Sequence, residues 1–336
     1  MIVDYDVIVI GSGIGGIGAV LQLQKRGYKT LTVEKYDRVG GRYSTLDFEG
    51  FRLPAGAVAV HYKGTAIESF FKEAGQQFEM IDVPRLFYRI GGKDYEMPAK
   101  GSLSAGFEII NKMEEDKSKL IGGFAKVIAK DRVMSAFRSQ VTGEKKDSGM
   151  TFKDWLLQYT DNEMAHGIFD TITNSVCGAH SYEIAAPSVF RWFITMGGAR
   201  DVGIAPRGNL ANLEKLSGAV KANGGEIWTN SQCKKIRASS GGIKSIVVDK
   251  DGKDTEITAQ AYVSNIGPRE TVAMVGESCF NDDYLRGIRM NLRPHPVTMM
   301  YIASDVPLWP EKGDAAILMV VGARRVTSVK IGRAHV

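Results

Sequence analysis

Gly11-Ser12-Gly13-Ile14-Gly15-Gly16 places small residues at the spacing G-x-G-x-x-G, where main-chain N–H groups can meet a phosphate with no side chain in the way. The chemistry such a string serves is pyrophosphate binding. Gly11 allows a tight turn, Gly13 lets the diphosphate approach the main chain, and Gly16 lets a helix and a strand pack closely. Taken alone, the string also reads as a tight turn with no ligand. Glu34 adds a second function. An acid at the end of the following strand accepts hydrogen bonds from a ribose hydroxyl and repels a 2′-phosphate, which favours the adenosine of FAD or NAD over that of NADP. A solvated carboxylate is the plainer reading of Glu34 in isolation. Further on, Arg38-Val39-Gly40-Gly41-Arg42-Tyr43-Ser44-Thr45 sets two glycines between arginines. Gly40 and Gly41 would admit a close approach and Arg42 would offset diphosphate charge, unless the segment is an ordinary basic turn.

Residues of this kind act only if regular elements hold them. Val7–Ile10 is a short β-branched run that reads as a buried parallel strand. Residues 14–26 carry Ala19, Val20, Leu21 and Leu23 on a helical face and stop at Gly27, and residues 30–33 form a second buried run ending on Glu34. Strand, glycine turn, helix and strand within about 30 residues make a βαβ unit. Residues 87–90 and 94–97 predict a hairpin through Gly91-Gly92-Lys93. From 102 to 196 the pattern turns helical. Leu120, Ile121, Phe124, Val127 and Ile128 follow one helical face, and Thr151-Phe152-Lys153-Asp154 has the form of a capping box. Trp155, Phe190, Trp192 and Phe193 offer large apolar surfaces, as core or as the wall of an apolar site. Beyond Pro206 the chain returns to α/β, with a helix over 210–222 and strands over 226–229, 242–249, 254–257, 261–264, 297–303 and 317–321.

The Gly11–Gly16 fingerprint, Glu34 and the R-x-G-G-R-x-x-T string ending at Thr45 together resemble the signature of the flavoproteins that include phytoene desaturases, monoamine oxidases and protoporphyrinogen oxidases. Gly50-Phe51-Arg52-Leu53-Pro54-Ala55-Gly56 is similar to that group's G-F-R-F-D-x-G, with Pro54 in place of Asp, and the resemblance implies that Gly56 lies beside a flavin. Pro206-Arg207-Gly208-Asn209 resembles the desaturase P-x-G-G, with Asn209 replacing the second Gly. Residues 225–236 are similar to the strand whose Val meets adenine through its main chain; Cys233 takes that place, as a structural residue rather than a reactive thiol. Residues 261–271, including Asn265, resemble the desaturase segment A-D-A-V-V-S-N-A-D-P-R-R-T. The likeness runs from residue 4 to about 275, strongest toward the carotenoid desaturase and retinol saturase branch. It implies an α/β fold in which a Rossmann-type FAD-binding domain carries an inserted mixed helical and β substrate domain. It implies FAD as cofactor, hydride transfer between a substrate C–H and flavin N5, and (de)saturation of a C–C bond in an apolar isoprenoid, carotenoid-like or other lipid substrate. The implied cofactor residues are Gly11, Gly13, Gly15, Gly16, Glu34, Gly40, Gly41, Arg42, Gly56, Cys233 and Asn265. Alternatives are a flavin amine or amino-acid oxidase, a binding protein like the Rab GDP dissociation inhibitors, and a plain NAD dehydrogenase.

Composition narrows the classes. In 336 residues, 43 Lys and Arg against 38 Asp and Glu leave a net charge of +5 with no long basic run, which argues against nucleic-acid binding. Cys177, Cys233 and Cys279 are far apart and suit neither a disulfide framework nor a zinc site. No apolar stretch is long enough to span a membrane, so the expected location is cytoplasmic, with at most a peripheral contact to a membrane that holds the substrate. His166, His180 and His295 lack metal-ligand spacing, and His61 follows the flavin-flanking segment. Expected boundaries are 1–85 and 200–285 for the FAD domain, and 86–199 and 286–329 for the substrate domain. Residues 330–336 stand apart. Ile331-Gly332-Arg333-Ala334-His335-Val336 resembles the translation of ATC-GGA-AGA-GCA-CAC-GTC, part of a sequencing-library adapter. The expectation is a C-terminally truncated chain with a non-native tail, lacking a late Gly-Asp segment and binding FAD weakly.

Overall fold

The computed structural model describes residues 3–83, 85–97, 122–123, 126, 149–196, 202–239, 241–292, 297–302, 304, 315–322 and 328–332. The chain divides into two main units, Met1–Ile81 with Gly203–Pro294, and Asp82–Val202 with His295–Arg333. It crosses between them at 81/82, 202/203 and 294/295, against expected crossings at 85/86, 199/200 and 285/286.

The first unit is a Rossmann-like mixed α/β fold. Strands β1 (Tyr5–Ile10) and β2 (Thr30–Val33) lie in a four-stranded parallel sheet with Glu226–Trp228 and Ala259–Ser264, in the order 226–228, β2, β1, 259–264. Their apolar runs are continuous because both faces are covered. On one face Val9 packs with Ile17, Val20 and Leu21 of helix α1 (Ile14–Gln24) and with Leu213, Leu216 and Val220 of helix Gly208–Ala222. On the other, Ile8, Ile10, Leu31 and Val33 meet Cys233, Ile236, Ile246, Val248 and Ile257. Those five come from an antiparallel meander of strands Ser231–Ser239, Gly242–Lys250 and Lys253–Ile257. Each such side chain taken fully out of water contributes about 1.5–3 kcal/mol. The three layers are the direct consequence of that two-sided apolarity. Hairpin Thr45–Phe48 and Phe51–Pro54 turns through Glu49 and Gly50, both at positive φ, as a two-residue turn matched to strand twist requires.

The second unit carries a sheet in the order 328–332, 315–320, 85–90, 93–97. Arg85–Ile90 and Lys93–Met97 form the expected hairpin, Ala315–Val320 runs parallel to the first, and Ser328–Gly332 pairs antiparallel to Ala315–Val320. Helices Phe152–Leu157, Glu163–Cys177 and Ala186–Met196 enclose an aromatic core in which Phe152, Trp155, Phe169 and Phe190 stack or meet edge to face. The capping box is present: Thr151 Oγ1 accepts from Asp154 N–H (3.1 Å), and Asp154 Oδ2 accepts from Thr151 N–H (3.4 Å). Among the described residues no helix is long and apolar enough to cross a membrane.

Three expectations need correction or placement. Residues 297–302 form no strand; Val297, Met300 and Ile302 are exposed, and without a neighbouring strand among the described residues their β-favouring side chains have nothing to pair with. Of the residues expected as a non-native tail, 330–332 lie in strand Ser328–Gly332, with Ile331 opposite Ala316 and Gly332 opposite Ala315, and 333–336 lie outside the described residues. The helical face through Leu120, Ile121, Phe124, Val127 and Ile128 lies outside the described residues, as do His295 and the side chain of Phe193.

Candidate functional site

The candidate site gathers at the carboxyl ends of the parallel strands. β1 sits between β2 and strand Ala259–Ser264, so the chain leaves its end in one direction and returns on the other side, the switch point where such sheets hold ligands. Gly11 follows β1 with φ +95°, a conformation that only glycine adopts readily. Its N–H donates to Val33 O (2.9 Å), and Asn265 N–H donates to Ile10 O (2.8 Å), so the loop is pinned to both neighbouring strands. A methyl group on Gly16 would overlap the Gly11 carbonyl oxygen, which makes this the close helix–strand approach. Methyl groups on Gly13 and Gly15 would stand 2.8 and 2.9 Å from the Asn265 carboxamide, whose Nδ2 donates to Gly11 O (3.2 Å). Gly11, Gly13, Gly15, Gly16 and Asn265 therefore form one cluster.

α1 begins on N-cap Gly13 with no side chain capping it and no acid in its first turn. Its first main-chain N–H groups thus lack the usual side-chain partners, and with the positive end of the helix dipole they make a ready anion site. Glu34 borders this loop and is 5% exposed. Its Oε2 accepts from Ser12 N–H (2.9 Å) and Ser12 Oγ–H (2.7 Å), and its Oε1 accepts from Tyr36 N–H (3.0 Å). The solvated-carboxylate reading of Glu34 fails on this burial. Nothing in the residue pattern announced Ser12 as the partner; it occupies the variable position between two glycines, and only the fold brings its hydroxyl to the acid.

The second glycine pair joins the first through Gly40. Its N–H donates to Ser12 O (2.9 Å), and Gly13 and Gly40 form an isolated bridge. Gly41 faces open space. Gly56 packs on the main chain of Arg42, where a methyl group would stand 2.8 Å from its carbonyl oxygen, and Ala57 N–H donates to the same oxygen (2.9 Å). The Arg42 guanidinium is exposed and has no ion-pair partner among the described residues. Burial pushes the Tyr43 phenol up to about 12, so it stays a neutral donor, and its hydroxyl, like Ser44 Oγ, is buried with no partner among the described residues. Asn209, in place of a family glycine, is buried and donates to Ala57 O (2.7 Å).

The Cys233 side chain lies in the core between sheet and meander; burial pushes its thiol up to about 11, and it donates weakly to Lys235 O (3.8 Å). His61 is half-buried in the short strand Val60–His61. His166 Nε2 lies 2.9 Å from Thr160 O, and His180 Nδ1 lies 2.9 Å from Asp170 Oδ2. Trp155 and Phe190 are buried in the aromatic core, with Trp192 packed against it. An apolar cavity of about 300 Å³ opens on the meander side of the sheet, between Ile236, Ile243, Tyr262, Val275 and Phe280, and no residue of the glycine loop lines it.

Residues 9–74 match the family profile described as an NAD(P)-binding Rossmann-like domain. A lycopene-forming phytoene desaturase of Pseudescherichia vulneris is 36% identical over 88 residues, 25% of this chain and 17% of that protein. A flavin-containing amine oxidase of Oncorhynchus mykiss is 36% identical over 100 residues, 29% of this chain and 19% of that protein. Over these stretches the chain resembles the phytoene desaturase and amine oxidase group. In fold it is similar to an oxidoreductase from Methanosarcina mazei, with a TM-score of 0.71 at 19% identity, covering 96% of this chain and 73% of that one. The chain spans less than two thirds of the length of the curated relatives it matches.

Proposed function

We propose that the chain holds FAD in an oxidoreductase that transfers hydride between a substrate C–H and flavin N5, acting on an apolar isoprenoid or other lipid. The observation that carries the cofactor reading is the uncapped first turn of α1 behind a loop in which a Cβ on Gly16 would overlap main chain and one on Gly13 would press on the Asn265 carboxamide. The residues present fit such a group. The first N–H groups of α1 would hold the diphosphate, Glu34 would accept from the ribose, and Arg42 would offset phosphate charge from the exposed side. The flavin, when bound, supplies the redox chemistry; the chain's part is to orient it and keep its phosphates paired. The (de)saturation reading draws on the desaturase-like segments at 50–56, 206–210 and 261–271 and on relatives named phytoene desaturase and all-trans-retinol 13,14-reductase.

The test is to purify the protein, denature it and identify what is released by absorbance and mass. FAD supports the proposal. NAD without flavin returns the nicotinamide dehydrogenase reading, and a protein that neither carries nor takes up either dinucleotide returns the binding-protein reading. Turnover of a carotenoid-like polyene against a primary amine, with reduction of the bound flavin followed optically, separates the desaturase reading from the amine oxidase one.

A further inference from the structure

The Glu34 carboxylate can accept about four hydrogen bonds, two on each oxygen. Ser12 supplies two of them, both to Oε2, through its N–H (2.9 Å) and its Oγ–H (2.7 Å). Tyr36 N–H supplies one to Oε1 (3.0 Å). Ser12 is fully buried, so water does not compete for its hydroxyl. Oε2 is thereby filled and Oε1 keeps one acceptor position open. We infer that Ser12 is a positioning residue for the dinucleotide ribose: its hydroxyl locks the Glu34 carboxylate in one orientation, so that Oε1 alone presents a single acceptor for a single ribose hydroxyl. This rests on the FAD reading and adds to it a residue and an oxygen. The consequence is a selectivity that depends on Ser12, although Ser12 itself does not touch the ribose. Without the hydroxyl, Oε2 regains an open acceptor, the carboxylate loses one of its three restraints, and the hydroxyl preference relaxes.

The measurement is the dissociation constant of FAD and of its 2′-deoxyadenosine analogue, by quenching of flavin fluorescence, for the wild type, Ser12→Ala, Ser12→Thr and Glu34→Ala. The wild type should prefer FAD over the deoxy analogue by about tenfold, the equivalent of one charge-assisted hydrogen bond. Ser12→Ala should weaken FAD by about that factor and leave the deoxy analogue within about twofold, erasing the preference. Ser12→Thr keeps a hydroxyl and should keep the preference. Adding Ser12→Ala to Glu34→Ala should change nothing further. Comparing two ligands on one variant cancels any general loss of folding. Equal weakening of both ligands by Ser12→Ala shows a merely structural serine and overturns the inference, as does a preference left intact. A wild type that binds neither ligand overturns the FAD reading and this inference with it, whereas a wild type that binds FAD leaves Ser12 to be judged alone.

Discussion

Glu34 in the first unit and Asp170 in the second are held by the same device. One serine gives both its N–H and its Oγ–H to a single carboxylate oxygen: Ser12 to Glu34 Oε2, and Ser181 to Asp170 Oδ1 (2.7 Å each). The difference lies in the second oxygen. Asp170 Oδ2 meets the His180 ring (2.9 Å), whose nitrogens also lie 3.1 and 3.3 Å from Asn174 Nδ2. The result ties the segment after Gly178 back onto helix Glu163–Cys177. Glu34 Oε1 meets one main-chain N–H and stops there, beside an uncapped helix start. A serine-clamped acid is therefore not by itself a site. The count of bonds is three for each acid, so what distinguishes the two is the setting: the second oxygen of Asp170 meets a side chain and its carboxylate is partly exposed, whereas that of Glu34 is buried next to the glycine loop at the switch point.

The largest effect should come from breaking the loop that gives Glu34 its setting. Gly16→Ala forces a methyl group onto the Gly11 carbonyl oxygen, and Gly13→Val adds bulk against Asn265 and the diphosphate path. Overpacking of this kind costs about 1–3 kcal/mol in stability, and more where the neighbour is main chain. FAD affinity should fall by more than about a hundredfold in both variants, measured by flavin fluorescence. Retained wild-type affinity in either would mean that the dinucleotide does not use this loop.

Next is the aromatic core of the second unit. Phe190→Ala removes a ring that meets Trp155 at 4.7 Å and Phe152 at 5.8 Å. It should lower unfolding stability by about 3–5 kcal/mol and leave the flavin spectrum unchanged. A change of substrate preference with no loss of stability would instead return Phe190 and Trp155 to the wall of an apolar site.

Glu34→Ala comes third and sharpens the comparison directly. It removes the ribose acceptor and also strands the buried Ser12 hydroxyl and two main-chain N–H groups. A charge-assisted hydrogen bond is worth about 1.5–3 kcal/mol, so FAD should bind ten- to a hundredfold more weakly, roughly, and the melting temperature should drop as well. A drop in melting temperature with FAD affinity untouched would make Glu34 an equal of Asp170, a clamp and nothing more.

How much of this the residues declared depended on how local the signal was. The βαβ unit was legible because its glycines, apolar runs and terminal acid lie within one short stretch, and Thr151-x-x-Asp154 was legible for the same reason. The meander strand Ser231–Ser239 was visible only through a family likeness, since its alternation is broken by a register shift between Cys233 and Lys235. The run at 297–302 has strand-like residues and no strand, because pairing is a non-local requirement that composition does not carry. The two serine clamps were invisible. Ser12 and Glu34 are separated by a helix, Asp170 and Ser181 by a helix end, and a hydroxyl looks the same in sequence whether it is solvated or committed.

The smallest effect, and the cleanest control, is the pH response of Asp170. Burial raises its pKa, but the bonds from His180 and from Ser181 N–H and Oγ–H, with the attraction of the His180 charge, outweigh it and hold the carboxyl below its ordinary value. A carboxyl depressed in the folded state contributes stability that is present above its unfolded pKa, near 3.9, and that is lost as pH falls through the lower folded value. The pair is partly exposed, with side chains 37% and 30% accessible for His180 and Asp170, so solvent screening keeps the contribution small. Asp170→Asn should therefore unfold at a lower urea midpoint than wild type at pH 6, and the gap should narrow as pH falls below about 4. FAD affinity should be the same in both proteins throughout, because no residue of this cluster belongs to the glycine loop or to the contacts of Glu34. A gap that persists undiminished to pH 2.5 would mean that the bonds do not depend on the ionised carboxylate. An Asp170→Asn protein with weakened FAD binding would erase the distinction between the two acids.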